Sequence, residues 1–256
     1  MADDDAHDPY DASTYGERIA DVYDEWYAEL PYGGDLSTAV AFLAGLAGEG
    51  SALELGIGTG RVAIPLREAG VDVHGIDASE SMVARLRAKL VGDGIPVTIA
   101  DFRTFSLGRR FGLVYVVFNT FFGLLTQDDQ LESFRAIAAH LEPGGAFAME
   151  AFVPDLARFD RGQRVSVVGV GTDEVRLETT KHDALAQRST SQHVVLREDG
   201  IHLYPVRIRY AFISELDLMA RLAGLELRER WGDWDRSPLT NESQKHISVW
   251  GAPAGT

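Results

Sequence analysis

The stretch Ala52-Leu-Glu-Leu-Gly-Ile-Gly-Thr-Gly-Arg61 decides the fold, because three alternate glycines directly follow a short apolar run. Glycines at 56, 58 and 60 permit positive φ angles and let a ligand approach the bare backbone. The amides that open a following helix would point at such a ligand. The pattern predicts a nucleotide-type cofactor loop between a strand and a helix, and an ordinary tight turn is the alternative interpretation.

Two further β-type runs end in an acid. The run from Val71 ends at Asp77, about 20 residues after Gly56, where open α/β folds place the carboxylate that accepts ribose hydroxyls. The run from Val97 ends at Asp101, and Phe102 follows it. A carboxylate can accept from the exocyclic amine of adenine while an apolar ring covers the base. The spacing therefore predicts a ribose contact and a base contact.

Two other types of nucleotide-binding loop fit this sequence less well. A dinucleotide-dependent oxidoreductase needs a glycine or alanine where Arg61 stands, so that the helix can pack closely on its strand. A P-loop needs a glycine-lysine-serine or glycine-lysine-threonine sequence, which the chain lacks. A thioether nucleoside with an amino-acid tail needs no phosphate cradle and fits better.

These residues resemble the class I S-adenosylmethionine-dependent methyltransferases. The resemblance rests on four segments, which are Glu54-Leu-Gly-x-Gly-x-Gly60, Asp77-Ala-Ser-Glu-Ser-Met82, Ala100-Asp101-Phe102 and Leu141-Glu-Pro-Gly-Gly145. It is close over residues 50–152 and looser beyond them, through residues 215–225. The resemblance implies S-adenosylmethionine as cofactor and S-adenosylhomocysteine as product.

The same resemblance implies roles for individual residues. Glu54 and the glycines would hold the methionine portion, Asp77 would hold the ribose, and Met82 would pack by the adenine. Asp101 and Phe102 would read the base. The expected cofactor-binding set is Tyr23, Glu54, Gly56, Gly58, Gly60, Asp77, Ala78, Met82, Asp101, Phe102 and Phe118.

The segment from Ala20 to Tyr27 is similar to the N-terminal helix of amino-sugar N-methyltransferases from antibiotic pathways. In those enzymes an early tyrosine contacts the cofactor carboxylate, and Tyr23 would be that residue here. The alternative is that Tyr23, Trp26 and Tyr27 form one apolar side of a helix. The similarity also implies a homodimer.

The predicted fold class is α/β, with a doubly wound, Rossmann-like, seven-stranded and mostly parallel sheet. The pattern predicts strands at 51–56, 71–77, 96–100, 111–118, 146–152 and 246–250, with helices at 60–69, 80–91, from Thr126 to Pro143 and from Ser214 to Ala223. Alternating segments at 165–170, 174–180, 189–196 and 201–210 predict an antiparallel meander.

The organisation that follows has three parts. We expect residues 1–50 to form an N-terminal helical cap, and residues 51–152 together with 209–256 to form the cofactor-binding domain. Residues 153–208 are an inserted β wall, which would roof the acceptor pocket and set its specificity.

Composition limits the partners. The chain has 256 residues and a formal net charge of −15, which repels the phosphates of nucleic acids. No apolar run reaches the roughly 20 residues that span a bilayer, and Asp3, Asp4 and Asp5 are the reverse of a basic signal peptide. We expect a cytoplasmic enzyme with a small-molecule acceptor, no nucleic acid and no membrane.

The chemistry asks little of the side chains, because alignment and desolvation of the reactants supply much of the acceleration of methyl transfer. A proton acceptor is needed where the acceptor group is protonated. Glu150 and His182 are the catalytic candidates, and His193 and His202 also lie in the wall. Each of these also has a simpler interpretation as a hydrogen-bonded or exposed residue.

No metal site is predicted. The histidines show neither His-Glu-x-x-His nor His-x-His spacing, and cysteine is absent. Asp128 and Asp129 are acids of a suitable type, but they are better explained as charges at a helix N-terminus.

The expected function is S-adenosylmethionine-dependent methyl transfer to nitrogen or oxygen of a small molecule, such as an amino sugar or another secondary metabolite. The first alternative is a protein that binds this cofactor without methylating, including a regulatory module. The lesser alternative is a nucleotide-dependent oxidoreductase.

Overall fold

The computed structural model describes residues 10–28 and 36–252. Its main sheet has seven strands in the order β3-β2-β1-β4-β5-β11-β10. The strands are β1 (Ala52–Leu55), β2 (Val73–Asp77), β3 (Val97–Ile99), β4 (Phe111–Val116), β5 (Leu141–Phe152), β10 (Glu226–Trp231) and β11 (Lys245–Gly251). The first five pair in parallel, whereas β11 runs antiparallel to both β5 and β10.

Helices cover both faces of this sheet. On one face lie α3 (Leu36–Ala47), α4 (Ala63–Glu68) and α5 (Glu80–Arg87), and on the other lie α6 (Gln127–His140) and α7 (Ile213–Leu222). The central strand β4 has nearly every side chain buried, because both of its faces are covered. The predicted doubly wound α/β fold is confirmed.

The strand order reverses between β1 and β4, which are neighbours in the sheet. The loops that follow these two strands leave in opposite directions and open a crevice at the carboxyl edge. The sheet therefore presents the ends of β1, β2, β3 and β4 along a single edge.

A second sheet of four antiparallel strands is a simple meander. Its strands are β6 (Gln163–Val170), β7 (Glu174–Asp183), β8 (Arg188–Arg197) and β9 (Gly200–Arg209). The registers pair each strand with the next along the chain. This sheet, called the wall below, confirms the antiparallel segments expected from alternation.

Two short N-terminal helices, α1 (Thr14–Ile19) and α2 (Tyr23–Ala28), pack between the wall and helix α5 of the main domain. Ile19 and Trp26 from these helices form one apolar cluster with Met82 of α5 and Val195 of the wall. Residues 1–9, which include Asp3, Asp4 and Asp5, and residues 29–35 of the expected helical cap lie outside the described ranges. Residues 253–256 of the expected cofactor domain also lie outside them.

Some boundaries differ from the sequence-based expectations. Helix α7 begins at Ile213 after an N-cap at Phe212, so the predicted capping role of Ser214 is wrong. Asp217, its expected partner, instead accepts hydrogen bonds from Arg230 at 2.6 and 3.1 Å. The Thr126 cap of α6 is confirmed, because its hydroxyl accepts from the Asp129 N–H at 3.0 Å.

The junction between α6 and β5 also differs. The helix ends at His140 and the strand begins at Leu141, which pairs with Phe111, so the prediction that residues 143–145 end the helix is wrong. The register then shifts before Ala146 pairs with Leu113. Strand β10 was not predicted.

No helix in the described ranges combines the length and apolar character needed to cross a bilayer.

Candidate active site

A cavity of about 460 Å³ opens at the carboxyl edge of the main sheet. The residues that line it come from the ends of β1, β2, β3 and β4, from the N-terminal helices and from the antiparallel sheet called the wall. The position agrees with the strand reversal between β1 and β4, where ligands bind in open α/β sheets.

Ten of the eleven residues predicted to bind the cofactor line this cavity: Tyr23, Glu54, Gly56, Gly58, Asp77, Ala78, Met82, Asp101, Phe102 and Phe118. Gly60 does not. A Cβ at Gly60 would lie 2.3 Å from Leu86 Cδ1, so this glycine serves the packing of the loop on α5. The contacts of each residue with particular parts of the cofactor remain predictions.

The glycine loop has the conformation that its sequence requires. Gly56 and Gly58 have φ angles of 69° and 56°, which favour glycine. A Cβ at Gly56 would lie 2.4 Å from Thr120 Cγ2, and one at Gly58 would lie 3.2 Å from Met82 Cε. The loop therefore needs glycine at both positions for its backbone angles, and at Gly56 also for space.

Asp77 joins the glycine loop to the start of α5. Its Oδ2 accepts from the Gly58 N–H at 2.7 Å, and its Oδ1 accepts from the Ser79 N–H at 2.8 Å. Burial raises the pKa of the carboxyl, against the lowering effect of these backbone hydrogen bonds. Each oxygen retains a second acceptor position, so the expected ribose contact is compatible with these two bonds.

Glu54, at the end of β1, is a buried acid on the cavity wall with 3% of its surface exposed. Its Oε2 accepts from the Tyr115 hydroxyl at 2.9 Å. Burial raises the pKa of Glu54 to about 8, and the nearby charge of Asp77 raises it further, while the Tyr115 hydrogen bond opposes the shift. A positively charged group beside Glu54 would lower this pKa again and favour the ionised carboxylate.

Arg61 follows the glycine loop and lines the same cavity. Its guanidinium carbon lies 4.2 Å from the centre of the Phe118 ring and 5.7 Å from that of Tyr27. In the described part of the chain its Nη1 is buried and has no hydrogen-bond partner. A buried guanidinium donor without a partner favours an anion bound from outside the chain.

Three tyrosines of the N-terminal helices surround this end of the cavity. The rings of Tyr23 and Tyr27 lie 4.4 Å apart, and the Tyr15 and Tyr27 hydroxyls are 3.1 Å apart. Burial raises the pKa of the Tyr23 hydroxyl, so this group stays protonated and can donate a hydrogen bond. Arg61, Tyr23 and Glu54 thus offer donors for an anion and an acceptor for a cation within one cavity.

Acidic side chains fasten α1 and α2 over the cavity. Glu17 accepts from the Ser79 hydroxyl at 2.8 Å and also contacts Ser81 at the start of α5. Asp24 accepts from the Thr59 hydroxyl at 2.6 Å and pairs with Lys89 at 2.8 Å. The N-terminal helices are therefore bonded to the glycine loop and to α5.

Asp101 and Phe102 follow β3, as expected from the sequence. The Asp101 Oδ1 accepts from the Arg103 N–H at 2.8 Å, and the Arg103 side chain reaches Asp129 at 3.3 Å. Asp101 is partly exposed at the cavity, and its Oδ2 lies 3.8 Å from the Arg103 Nε. Base recognition by this pair remains a prediction.

Neither of the two catalytic candidates is among the described residues that line the cavity. Glu150 is buried in β5, where it accepts from the Phe118 N–H at 3.0 Å and pairs with Lys245 at 3.3 Å. His182 stacks on Phe159 at 4.4 Å and meets the Tyr210 hydroxyl at 2.9 Å. Their catalytic roles have no support from this placement.

His193, on β8 of the wall, is the one histidine among the described residues that line the cavity. Its ring meets Trp26 of α2 edge to face at 6.2 Å. Burial lowers the pKa of the imidazole, and the charge of Glu178 opposes this shift only in part. The ring is therefore neutral near pH 7 and can accept a proton.

The sequence pattern did not predict that Arg61 lines the cavity, since Arg61 entered it only as a departure from the oxidoreductase fingerprint. It also missed Asn119 and Thr120, which line the cavity directly after Phe118. The signal for Arg61 was present, because a positive charge follows a loop that opens toward a ligand. No local pattern marks Asn119, whose importance comes from its left-handed backbone.

Comparison with known proteins gives consistent matches. Residues 52–145 match the family model described as a methyltransferase domain. The chain is 31% identical over 242 residues to the cypemycin N-terminal methyltransferase from Streptomyces sp, covering 93% of this chain and 98% of that relative.

Two other matches cover different shares of the chain. The dTDP-3-amino-3,4,6-trideoxy-alpha-D-glucopyranose N,N-dimethyltransferase from Streptomyces venezuelae is 31% identical over 136 residues, covering 51% of this chain and 56% of that protein. The structure of the CcbJ methyltransferase from Streptomyces caelestis is 43% identical, with a TM-score of 0.89, covering 95% of this chain and 99% of that one.

Proposed function

The chain belongs to the S-adenosylmethionine-dependent methyltransferases, and from that premise we propose that it transfers the methyl group to an amine nitrogen of a small-molecule acceptor. The observation that carries this proposal is one cavity that combines Glu54 and Arg61, which suit the cofactor's amino-acid tail, with the neutral imidazole of His193.

The residues present fit the cofactor. Its amino-acid tail carries an ammonium and a carboxylate, and the cavity offers the buried acid Glu54 and the unpartnered Nη1 of Arg61. The protonated hydroxyl of Tyr23 can add a second donor to the carboxylate. Asp77, with Asp101 and Phe102, is proposed to hold the ribose and the base.

The bound cofactor supplies an electrophilic methyl group on a sulfonium. The protein contributes alignment and an apolar surface, because Phe118 after β4, Phe152 of β5 and Ile208 of the wall line the cavity together with residues of α1 and α2. An amine nitrogen needs only its lone pair to accept the methyl group. Positioning of that lone pair beside the methyl group is therefore the main catalytic requirement.

An amine that enters as an ammonium must first lose a proton. A neutral imidazole has a lone pair that can accept that proton, and burial makes the His193 imidazole a weaker base than free histidine. An aliphatic hydroxyl is a far weaker acid than an ammonium and is much too weak for this imidazole to ionise. We assign this proton to His193 and favour nitrogen over oxygen for that reason. The names of two relatives, an N-terminal methyltransferase and an amino-sugar N,N-dimethyltransferase, support an amine acceptor.

The test is an assay of the purified protein with S-adenosylmethionine and matched acceptors. A panel of amino sugars and peptides with free N-termini is paired with analogues that carry a hydroxyl in place of the amine. Mass spectrometry measures acceptor methylation and S-adenosylhomocysteine release. We expect methylation of amines only; methylation of the hydroxyl analogues would overturn the assignment to nitrogen.

A protein that binds the cofactor without methylating gives a different result. It would show saturable binding of S-adenosylmethionine by calorimetry and no S-adenosylhomocysteine with any acceptor of the panel. That result would contradict the proposed enzymatic function while leaving cofactor binding intact.

A further inference from the structure

The chain makes an unusual turn where it leaves β4. The last ladder pair of this strand joins Val116 to Met149 of β5. Phe118 and Asn119 then follow with φ angles of 53° and 64°, so two consecutive residues other than glycine are left-handed. Side chains rarely adopt this conformation, and it persists only where the surroundings impose it.

Two hydrogen bonds, in which side chains accept from backbone N–H groups, impose this left-handed conformation. The Glu150 Oε2 accepts from the Phe118 N–H at 3.0 Å, and the Asn119 Oδ1 accepts from the Phe152 N–H at 2.7 Å. Glu150 thus gives the Phe118 N–H an acceptor after the chain has left the backbone ladder. Both bonds tie the turn to the end of β5.

The carboxylate of Glu150 is itself fixed. Its residue is 4% exposed, and its other oxygen accepts from the Lys245 ammonium at 3.3 Å. Lys245 also pairs with Asp233 at 2.8 Å. A buried carboxylate with a paired ammonium on one oxygen keeps the other oxygen in place for the Phe118 N–H.

The turn contacts two parts of the predicted cofactor site, which are Arg61 and the glycine loop. The Phe118 ring lies 4.2 Å from the guanidinium carbon of Arg61. The Thr120 methyl occupies the space that a Cβ at Gly56 would need, at 2.4 Å from its position. A change in the turn therefore displaces a surface that packs on both Arg61 and the glycine loop.

We propose that Glu150 is a positioning residue, which holds the Phe118–Asn119 turn in its left-handed form and thereby fixes Arg61 and the glycine loop for the cofactor. Glu150 does not touch the reacting atoms. The inference rests on the cofactor contact of Arg61 proposed above and is independent of the acceptor.

The test uses calorimetric titration of full-length variants with S-adenosylhomocysteine, because this ligand requires no acceptor. E150Q keeps a carbonyl oxygen for the Phe118 N–H, whereas E150L has a similar size and no acceptor. Both variants lose the ion pair with Lys245. We expect E150L to weaken binding by about tenfold or more and E150Q by less than about threefold, since only E150L leaves the Phe118 N–H without this acceptor.

The matched control is D217N, which weakens the ion pair between Asp217 of α7 and Arg230, away from the cavity. We expect D217N to lower the melting temperature while its affinity for S-adenosylhomocysteine stays within about twofold of the original. Affinity of E150L within the same range, or equal losses in E150L and E150Q, would overturn the positioning role.

A second variant covers the case in which E150L does not fold. N119G accepts the left-handed angle freely but removes the acceptor for the Phe152 N–H, so it loosens the turn without removing a buried charge. We expect N119G to weaken S-adenosylhomocysteine binding by several fold at nearly unchanged melting temperature. Unchanged affinity would contradict the inference. A protein that binds S-adenosylhomocysteine normally but methylates no amine would contradict only the proposed function.

Discussion

The carboxylate of Asp77 accepts a hydrogen bond from the Gly58 N–H at 2.7 Å, so the acid at the end of β2 and the glycine loop form one unit. The same carboxylate accepts from the Ser79 N–H. An acid that sequence spacing assigns to a ligand therefore also has a structural role in this protein. The two roles can be separated by measurement.

We predict that D77A weakens S-adenosylhomocysteine binding by about 1–3 kcal/mol, because the ribose hydroxyls lose their proposed acceptor. We also predict a lower melting temperature, because the Gly58 and Ser79 N–H groups lose theirs. Calorimetry and thermal unfolding measure the two effects. The control is D72A, which alters an exposed acid near the opposite end of β2. A loss of stability in D77A with unchanged affinity would leave only the structural role.

The glycine loop offers a test of shape. We predict that G56A and G58V abolish detectable cofactor binding, since each adds a side chain at positive φ and G56A also meets Thr120. G48A is the matched control. Gly48 has a φ of 55°, but a Cβ there would meet nothing within 4 Å. Binding by G56A as tight as by G48A would show that the loop adjusts.

The acids at strand ends could be predicted because the signal is local. Asp77 and Asp101 each come at the end of a short apolar run and Glu54 lies next to the last residue of one, and parallel strands place their carboxyl ends at one edge. Arg61 directly follows Gly60, so its place next to the glycine loop is also visible in the sequence. However, only the structure shows that Arg61 lies between rings from two distant segments.

Long-range contacts explain what the sequence did not reveal. Strand β10 was missed because Glu-Leu-Arg-Glu-Arg-Trp231 is mostly charged, and its order comes from pairing with β11. The turn after β4 was missed because Glu150, more than 30 residues away in the chain, imposes it. Ser214 had correct capping spacing, but the carboxylate of Asp217 is held by Arg230.

Arg61 gives a prediction about one part of the cofactor. We expect R61M to weaken S-adenosylhomocysteine binding by about 10-fold to 100-fold, because a hydrogen bond from a charged group to the ligand carboxylate is lost. The control ligand is 5′-methylthioadenosine, which lacks the amino-acid tail. Its affinity should be the same for R61M and the original protein. An equal loss for both ligands would place Arg61 elsewhere on the cofactor or show a general disturbance of the cavity.

Glu54 predicts a pH dependence of stability. Burial raises its pKa from 4.5 to about 8 in the folded protein without ligand. Between these values the folded state binds more protons than the unfolded chain, so the free energy of unfolding falls as pH rises. E54Q lacks this titration. We predict that the melting temperature of the original protein, relative to E54Q, declines from about pH 5 to about pH 8.

Scanning calorimetry of both proteins without cofactor measures this difference, and the other titrating groups cancel because both proteins carry them. A constant difference across the range would mean that Glu54 is ionised in the folded protein. Saturation with S-adenosylhomocysteine should flatten the curve, because its ammonium stabilises the ionised carboxylate.

His193 predicts a pH dependence of catalysis. Burial lowers the pKa of its imidazole, and the charged or titratable groups beside it are Glu178 of β7 and Tyr204 of β9, with Trp26 packed on the ring. A neutral imidazole near pH 7 can take the proton of an acceptor ammonium. We predict that H193N lowers kcat/KM at pH 7 by about 100-fold or more. The loss should shrink roughly tenfold per pH unit as the acceptor amine deprotonates in solution.

H202N is the control, because His202 lies on the same sheet, is partly exposed and pairs with Asp199 at 3.1 Å. A pH profile of H193N that runs parallel to the original at every pH would show that the amine loses its proton before it enters the cavity.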